Sequence, residues 1–179
     1  MAANIEVKAR AQNWEKLHSL AKQVSDAEGT LIEQVDTFFI VPAGRLKLRQ
    51  LGPDHGELIF YQRPDEAGPK LSEYTITETT CPDSLRDTLA QALGVSGEVR
   101  KKRWYFISSR YGGHTRIHLD EVKGLGQYME LEVVLQPGQM PEDGERIAAE
   151  FRAALDIRDE DLIDCAYVDL ITSHSGGGL

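Results

Sequence analysis

The pattern of apolar and polar positions divides this chain into stretches of period two, which predict strands, and stretches of period near 3.6, which predict helices. Residues 4–10 alternate strictly: Asn4, Glu6, Lys8 and Arg10 share one face and Ile5, Val7 and Ala9 the other. Asn13 then stands as an N-cap before a helix over 14–24. Its Trp14, Leu17, Leu20, Ala21 and Val24 form one stripe, and the Ile5/Val7 face is the nearest surface for it to cover. Strands are predicted over 30–41, 45–51, 57–63 and 70–77, separated by turns at 42–44, 52–56 and 64–69. His55 falls in one of these turns, as a surface residue. A second helix over 82–93 carries Leu85, Leu89, Ala92 and Leu93, with Gly94 as its stop. The strand over 98–108 hides its parity behind four consecutive basic residues, 100–103. Arg103 pairs in parity with Tyr105, and Lys102 with Trp104, but the pattern does not say which pair points inward.

The clearest hairpin spans 116–135. Its first limb sets Arg116, His118 and Asp120 against Ile117 and Leu119. After a turn at 123–126, its second limb sets Tyr128, Glu130 and Glu132 against Met129, Leu131, Val133 and Leu135. A helix over 142–156 follows through Ile147, Phe151 and Leu155. Asp159 opens a last one through Leu162, Ile163, Ala166 and Leu170, and 173–179 forms a frayed tail.

Strands outnumber helices and are joined by short turns, which predicts an α+β fold, mainly antiparallel β. The location of charge sharpens this. Helices with apolar stripes must cover the apolar strand faces, so the charged faces turn toward one another. An eight-stranded closed barrel, a tunnel with a polar lumen and helices packed outside, satisfies that requirement; a flat sheet with a wet charged face competes with it.

Length predicts a single domain over 1–172 with a flexible tail at 173–179. The net charge of −9 argues against nucleic acid or an anionic membrane as partners held by bulk electrostatics. Cys81 and Cys165 are too far apart, with no ligand spacing, to suggest zinc or a disulfide framework. The absence of an apolar run of spanning length, and a strand pattern starting at residue 4, predict a cytoplasmic chain without a signal peptide.

Lys8, Arg10, Arg45, Lys47, Arg49, Arg63 and Arg116 would bring cations into such a lumen, and Glu6, Asp120, Glu130 and Glu132 carboxylates. Enclosed like charges are too costly to leave uncompensated, so the consistent occupant is a compact polyanion bridged to the carboxylates by a hard divalent metal. Glu130 and Glu132, two apart on one strand, aim two oxygen ligands at one point, as Mg²⁺ or Mn²⁺ prefers. Their mutual repulsion would make the metal-free protein indifferent to, or stabilised by, their conversion to Gln.

Ile5-Glu6-Val7-Lys8, Asp36-Thr37-Phe38-Phe39, Gly44-Arg45-Leu46-Lys47-Leu48-Arg49, Arg116-Ile117-His118-Leu119-Asp120, Gly124-Leu125-Gly126 and Glu130-Leu131-Glu132 together resemble the CYTH superfamily of triphosphate tunnel metalloenzymes. The resemblance implies a triphosphate substrate such as tripolyphosphate, ATP or thiamine triphosphate, with a divalent metal, and it admits a homodimer. It implies Glu6, Asp120, Glu130 and Glu132 as the metal group. Lys8, Lys47, Arg49 and Arg116 would grip phosphates, with Arg63 and Arg103 as further candidates, His118 as a hydrogen-bonding lumen residue, and Lys8, Glu130 and Glu132 at the catalytic centre. Two positions depart from the family pattern. Asn4 stands where its first Glu belongs, which weakens any second metal site, and Phe38 stands where many members carry Tyr, which favours Lys8 as a phosphate anchor over a general base. Three functions follow as expectations: metal-dependent hydrolysis of a triphosphate, a class IV cyclase converting ATP to cyclic AMP and pyrophosphate, and a non-catalytic triphosphate-binding module.

Overall fold

In the computed structural model, which describes residues 2–175, the strands are β1 (Ala2–Arg10), β2 (Thr30–Phe39), β3 (Arg45–Gly52), β4 (His55–Gln62), β5 (Lys70–Thr79), β6 (Val95–Ser108), β7 (His114–Val122) and β8 (Gly126–Val134). The helices are α1 (Trp14–Val24), α2 (Pro82–Leu93), α3 (Pro141–Ala154) and α4 (Tyr167–Ser175). Every strand pairs antiparallel with two neighbours, and the order β1-β5-β4-β3-β2-β6-β7-β8 closes into a barrel. β1 forms the seam: Glu6 sits opposite Lys70 of β5 and Glu132 of β8, and Lys8 opposite Glu130.

The principal apolar core lies outside the barrel wall. Ile5, Val7, Ile117, Leu119, Met129, Leu131 and Val133 face outward beneath Ile147, Ala148 and Phe151 of α3, with Leu17, Ala21 and Val24 of α1 in the same cluster. Each such aliphatic side chain contributes about 1.5–3 kcal/mol by leaving water. α1 is capped as expected, Asn13 Oδ1 accepting from the Lys16 amide at 3.1 Å. Its ring contacts are with β6, where His18 meets Trp104 at 5.4 Å and Phe106 at 6.4 Å. The surface over Ile5 belongs instead to α3, because Gly144 lets that helix come close: a Cβ there would collide with Ile5 and Leu135.

The final helix differs from expectation. Asp159–Asp161 makes only a 3₁₀ turn, then Leu162 bridges to Ala9 and the Ile163 amide donates to the Lys8 carbonyl at 3.0 Å. These bonds to the end of β1 take the place of helical ones until Tyr167. The segment thereby enters one end of the barrel, where Ile163, Ala166, Tyr167 and Val168 pack with inward-facing Phe38, Ile59, Tyr61, Val99, Val122 and Tyr128. Val168 lies so close to Gly97 that a Cβ there would come within 2.5 Å of it. Buried Lys70 donates to the carbonyls of Glu66 (3.0 Å) and Asp164 (3.3 Å), fastening the 64–69 loop to this plug. The lumen therefore has a floor at this end and a mouth at the other. Of the expected tail, Ser173–Ser175 belong to α4 and residues 176–179 lie outside the described residues. Among the described residues, no helix is long and apolar enough to cross a membrane.

Candidate active site

Because side chains alternate along each strand, the positions opposite the outer core converge inside the barrel. They line a cavity of about 290 Å³, at the lower edge of the roughly 300–1,000 Å³ of ordinary ligand sites. Lys8, Lys47, Arg49, Arg63, Lys101, Arg103 and Arg116 stand on its wall with Glu6, Asp36, Glu57, Glu130 and Glu132.

These charges are paired in two groups. On the β2/β3/β6 side, Asp36 receives a two-pronged bond from Arg49 (3.0 and 3.0 Å) and is approached by Lys47 (3.6 Å) and Lys101 (3.5 Å). On the β1/β7/β8 side, Arg103 donates to both Asp120 oxygens (2.7 and 2.8 Å) and to Glu130 (2.7 Å). Lys8 lies 3.5 Å from Glu130, Arg116 lies 2.8 Å from Glu132, and Arg63 donates to Glu6 at 2.9 Å. Tyr167, from the plug, joins both groups. Its hydroxyl donates to Asp120 at 2.9 Å, and its ring lies 4.0 Å from Lys8 Nζ and 5.0 Å from Lys101 Nζ. Such ring contacts favour ammonium groups withdrawn from water.

The pairing decides the protonation states. Burial pushes the Asp36 carboxyl up, but Arg49, Lys101 and Lys47 together hold it well below the usual range. Glu130 is likewise driven well down, since Lys8, the nearby His118 and Arg103 outweigh its burial. Glu6 goes the other way, because burial, reinforced by Glu130 and Glu132, exceeds the pull of Arg63 and Lys8. Burial and the neighbouring Arg49 bring Lys47 down to about 7, and burial with Arg103 brings Lys101 down to about 8. Burial and Arg103 also lower His118, whose Nδ1 faces Glu130 at 3.8 Å and Glu132 at 4.0 Å.

A sequence profile of the CYTH domain matches residues 2–167. The chain belongs to the CYTH family. Enzymes of this family are metal-dependent and bind triphosphate substrates. Comparison with curated proteins finds no match. Among solved structures, the barrel is similar to the PH1012 protein of Pyrococcus horikoshii OT3, with TM-score 0.76, 23% identity, and 94% of this chain and 99% of that one covered. It is also similar to a candidate adenylate cyclase from Vibrio parahaemolyticus, with TM-score 0.72, 20% identity and coverage of 95% and 97%. A third likeness is to a candidate adenylyl cyclase from Hippeastrum described as having a dominant triphosphatase activity, with TM-score 0.62, 16% identity and coverage of 100% and 98%. At these identities the structures share the fold.

The structure brings Glu6, Lys8, Lys47, Arg49, Arg63, Arg103, Arg116, His118, Glu130 and Glu132 to one CYTH cavity. Asp120 is fully buried behind Arg103, where it orients that guanidinium. Arg45 turns to Asp169 of α4, at 2.7 and 3.2 Å, and braces the plug rather than lining the cavity. Arg10 lies at the outer end of β1, its guanidinium 3.2 Å from the Tyr128 hydroxyl. The ambiguous parity of β6 is resolved with Lys101, Arg103 and Tyr105 inward and Trp104 under α1. Lys101 was not among the residues singled out from the sequence, although it follows from Arg103 by period two. Asp36 lies in a quoted motif without an assigned role. Tyr167 had no signal, since it reads as one more position of an amphipathic helix.

The donor chemistry suits a hard divalent cation, although among the described residues the oxygens of Glu6, Glu130 and Glu132 are held by Lys and Arg rather than gathered within 4.8 Å of one another. Glu130 and Glu132 on β8 stand beside Glu6 on β1, a set of hard oxygen donors. Asn4 Oδ1 is buried without a hydrogen-bond partner at the same cavity wall, a neutral oxygen available as a further donor. His55, Glu57 and Glu78 form a separate cluster, their ligand atoms within 4.8 Å of one another. That cluster lies on the β4/β5 part of the barrel, where Glu57 stands opposite Arg49 of β3 and reaches the cavity wall.

Proposed function

We propose that this CYTH protein is a divalent-metal-dependent triphosphatase, hydrolysing a phosphoanhydride bond of a triphosphate. The observation that carries the proposal is the charge of the cavity wall. Seven cations face five carboxylates there, and at least Glu6, Glu130 and Glu132 are suited to a metal. With Asp120 behind Arg103 these charges come close to balance, so a divalent cation on the carboxylates would leave an excess of positive charge that a polyanion would cancel. Without ligand, Glu6, Asp36, Glu130 and Glu132 are each matched to Lys or Arg; Glu6, Glu130 and Glu132 would hold the metal, leaving their cations for phosphate oxygens.

Arg49, Arg103, Arg63 and Arg116 suit forked contacts to phosphate, while Lys8, Lys47 and Lys101 act as point charges. Together they stabilise charge spread over the transferring phosphoryl group, where phosphoryl transfer gains most from positioning and electrostatics. Bound divalent metal would add Lewis-acid polarisation of phosphate oxygens and promote ionisation of water. Lys8 donates to the Cys165 carbonyl at 3.4 Å and lies against Glu130 and Tyr167, surroundings that suit a cationic anchor rather than a base. His118 is held toward its neutral form beside Glu130 and Glu132, placed to accept a proton at the hydrolytic centre.

The test is incubation of purified protein with tripolyphosphate, ATP and thiamine triphosphate in turn, with Mg²⁺ or Mn²⁺ and with chelator. Metal-dependent release of orthophosphate is expected, abolished in Glu130→Gln/Glu132→Gln. Cyclic AMP with pyrophosphate would instead establish the cyclase reading, which draws on the likeness to the Vibrio protein. Binding without any product would leave a triphosphate-binding module. Full turnover in the double variant would remove the metal assignment.

A further inference from the structure

Lys8 of β1, Lys101 of β6 and Asp120 of β7 meet at the floor of the cavity, yet β7 and β8 separate β6 from β1 in the barrel wall. No pairing between adjacent strands can set all three relative to one another. Tyr167, which comes from the plug, touches all three. Its hydroxyl donates to Asp120, and its ring lies 4.0 Å from Lys8 Nζ and 5.0 Å from Lys101 Nζ.

The ring has little freedom of its own. Tyr128 of β8 packs against it at a steep angle, centroids 5.3 Å apart and planes at 61°. The backbone just before it is tied as well. Asp169 accepts from the Ala166 amide at 3.2 Å while Arg45 of β3 grips the same carboxylate, and Lys8 donates to the Cys165 carbonyl at 3.4 Å. A buried tyrosine of the core needs one partner for its hydroxyl. Tyr167 has that partner and, in addition, two ammonium groups from different strands against its ring.

Lys8 and Lys101 are 3% and 7% exposed, so neither is solvated as a surface lysine is. For an ammonium withdrawn from water, the face of an aromatic ring is an attraction worth about tenfold or more in an equilibrium constant. The ring also closes the lower side of both groups to water. That leaves the cavity as the side from which a further ligand can reach them.

On the basis of the triphosphate reading above, we infer that Tyr167 is a positioning residue of the phosphate site: through Lys8 and Lys101 it fixes where the innermost phosphate is held, so that seating of the plug and occupancy of the cavity favour each other. Such coupling is reciprocal. The factor by which the seated plug improves affinity is the factor by which bound ligand holds the plug in place.

Tyr167→Phe keeps the ring and loses the hydroxyl, whereas Tyr167→Leu loses both. In calorimetric titration of the metal-free proteins, Tyr167→Leu should bind tripolyphosphate at least about tenfold more weakly than wild type, and Tyr167→Phe within about threefold. Amide hydrogen exchange of wild type with and without tripolyphosphate adds a readout that a merely structural tyrosine would not move. The amides of Ile163 and of residues 166–170 should slow about tenfold on binding, and by more than those of α1. Wild-type affinity in a folded Tyr167→Leu protein, equal losses in the two variants, or plug amides indifferent to ligand would overturn the inference and leave the triphosphate reading intact. If Tyr167→Leu does not fold, the exchange experiment decides, because it needs no substitution. A wild type that binds no tripolyphosphate would overturn the triphosphate reading and this inference with it.

Discussion

Replacing Asp36 by Asn is the most direct probe of the charge balance in the barrel. Asp36 is 1% exposed and is the shared counter-ion of Arg49, Lys47 and Lys101, at 3.0, 3.6 and 3.5 Å. Removing one side of a buried charge cluster costs about 3–5 kcal/mol, because the remaining charges stay desolvated and unpaired. Gln34 softens the loss: with its amide turned as its neighbours require, its oxygen accepts from Arg49 at 2.8 and 3.1 Å. The lower end, about 3 kcal/mol, is therefore expected. For a chain of this length that lowers Tm by about 6–12 °C. The same cations face the cavity, so a polyanion should replace the missing carboxylate. Metal-free tripolyphosphate should bind Asp36→Asn at least about tenfold more tightly than wild type, and should restore most of the lost Tm. Calorimetry and thermal denaturation with and without tripolyphosphate measure both effects. An Asp36→Asn protein as stable as wild type, with unchanged affinity, would show that these cations do not form one cluster open to the lumen.

Two further outcomes follow from the protonation states. Lys47 and Lys101 sit near 7 and 8 because burial and neighbouring arginines disfavour their charge, whereas a bound polyanion favours it. Metal-free tripolyphosphate binding should therefore take up protons and weaken as pH rises through about 7–8, to be measured by calorimetry in buffers of different ionisation enthalpy; proton release would refute the assignment. The carboxylates should separate as well. Glu130 is held below its ordinary range, so its ionised form contributes stability above the unfolded pKa that is lost as pH falls through the folded one. Glu130→Gln should destabilise the metal-free protein at pH 7. Glu6, held above its range, should tolerate Gln without loss or become more stable, and urea denaturation giving the reverse order would contradict the pairing described here.

That contrast corrects an expectation drawn from the spacing of Glu130 and Glu132. Two acids on one strand face suggest repulsion in the absence of metal, but repulsion is not what governs Glu130. Lys8 comes from β1 and Arg103 from β6, and neither is near it in the chain. A similar limit applies to β6, where four basic residues leave two parities open until Lys101 and Arg103 are paired across to β2 and β7.

The alternation of side chains was readable directly, because it is a local property of extended backbone: it separated the charged faces of β1, β3, β7 and β8 from their apolar faces and so pointed to an enclosure, with an open sheet as the competing arrangement. Which charges neutralise one another, and that the enclosure has a floor, depended on contacts between distant segments. Beside the Ala9–Leu162 bridge, the Ile163 amide trades a helical bond for one to the Lys8 carbonyl, and that exchange carries Tyr167 beneath Lys8 and Asp120. No pattern within the last segment records it, since its bonding partners lie on a strand roughly 150 residues earlier, and helix and plug differ only in which carbonyls those few amides find.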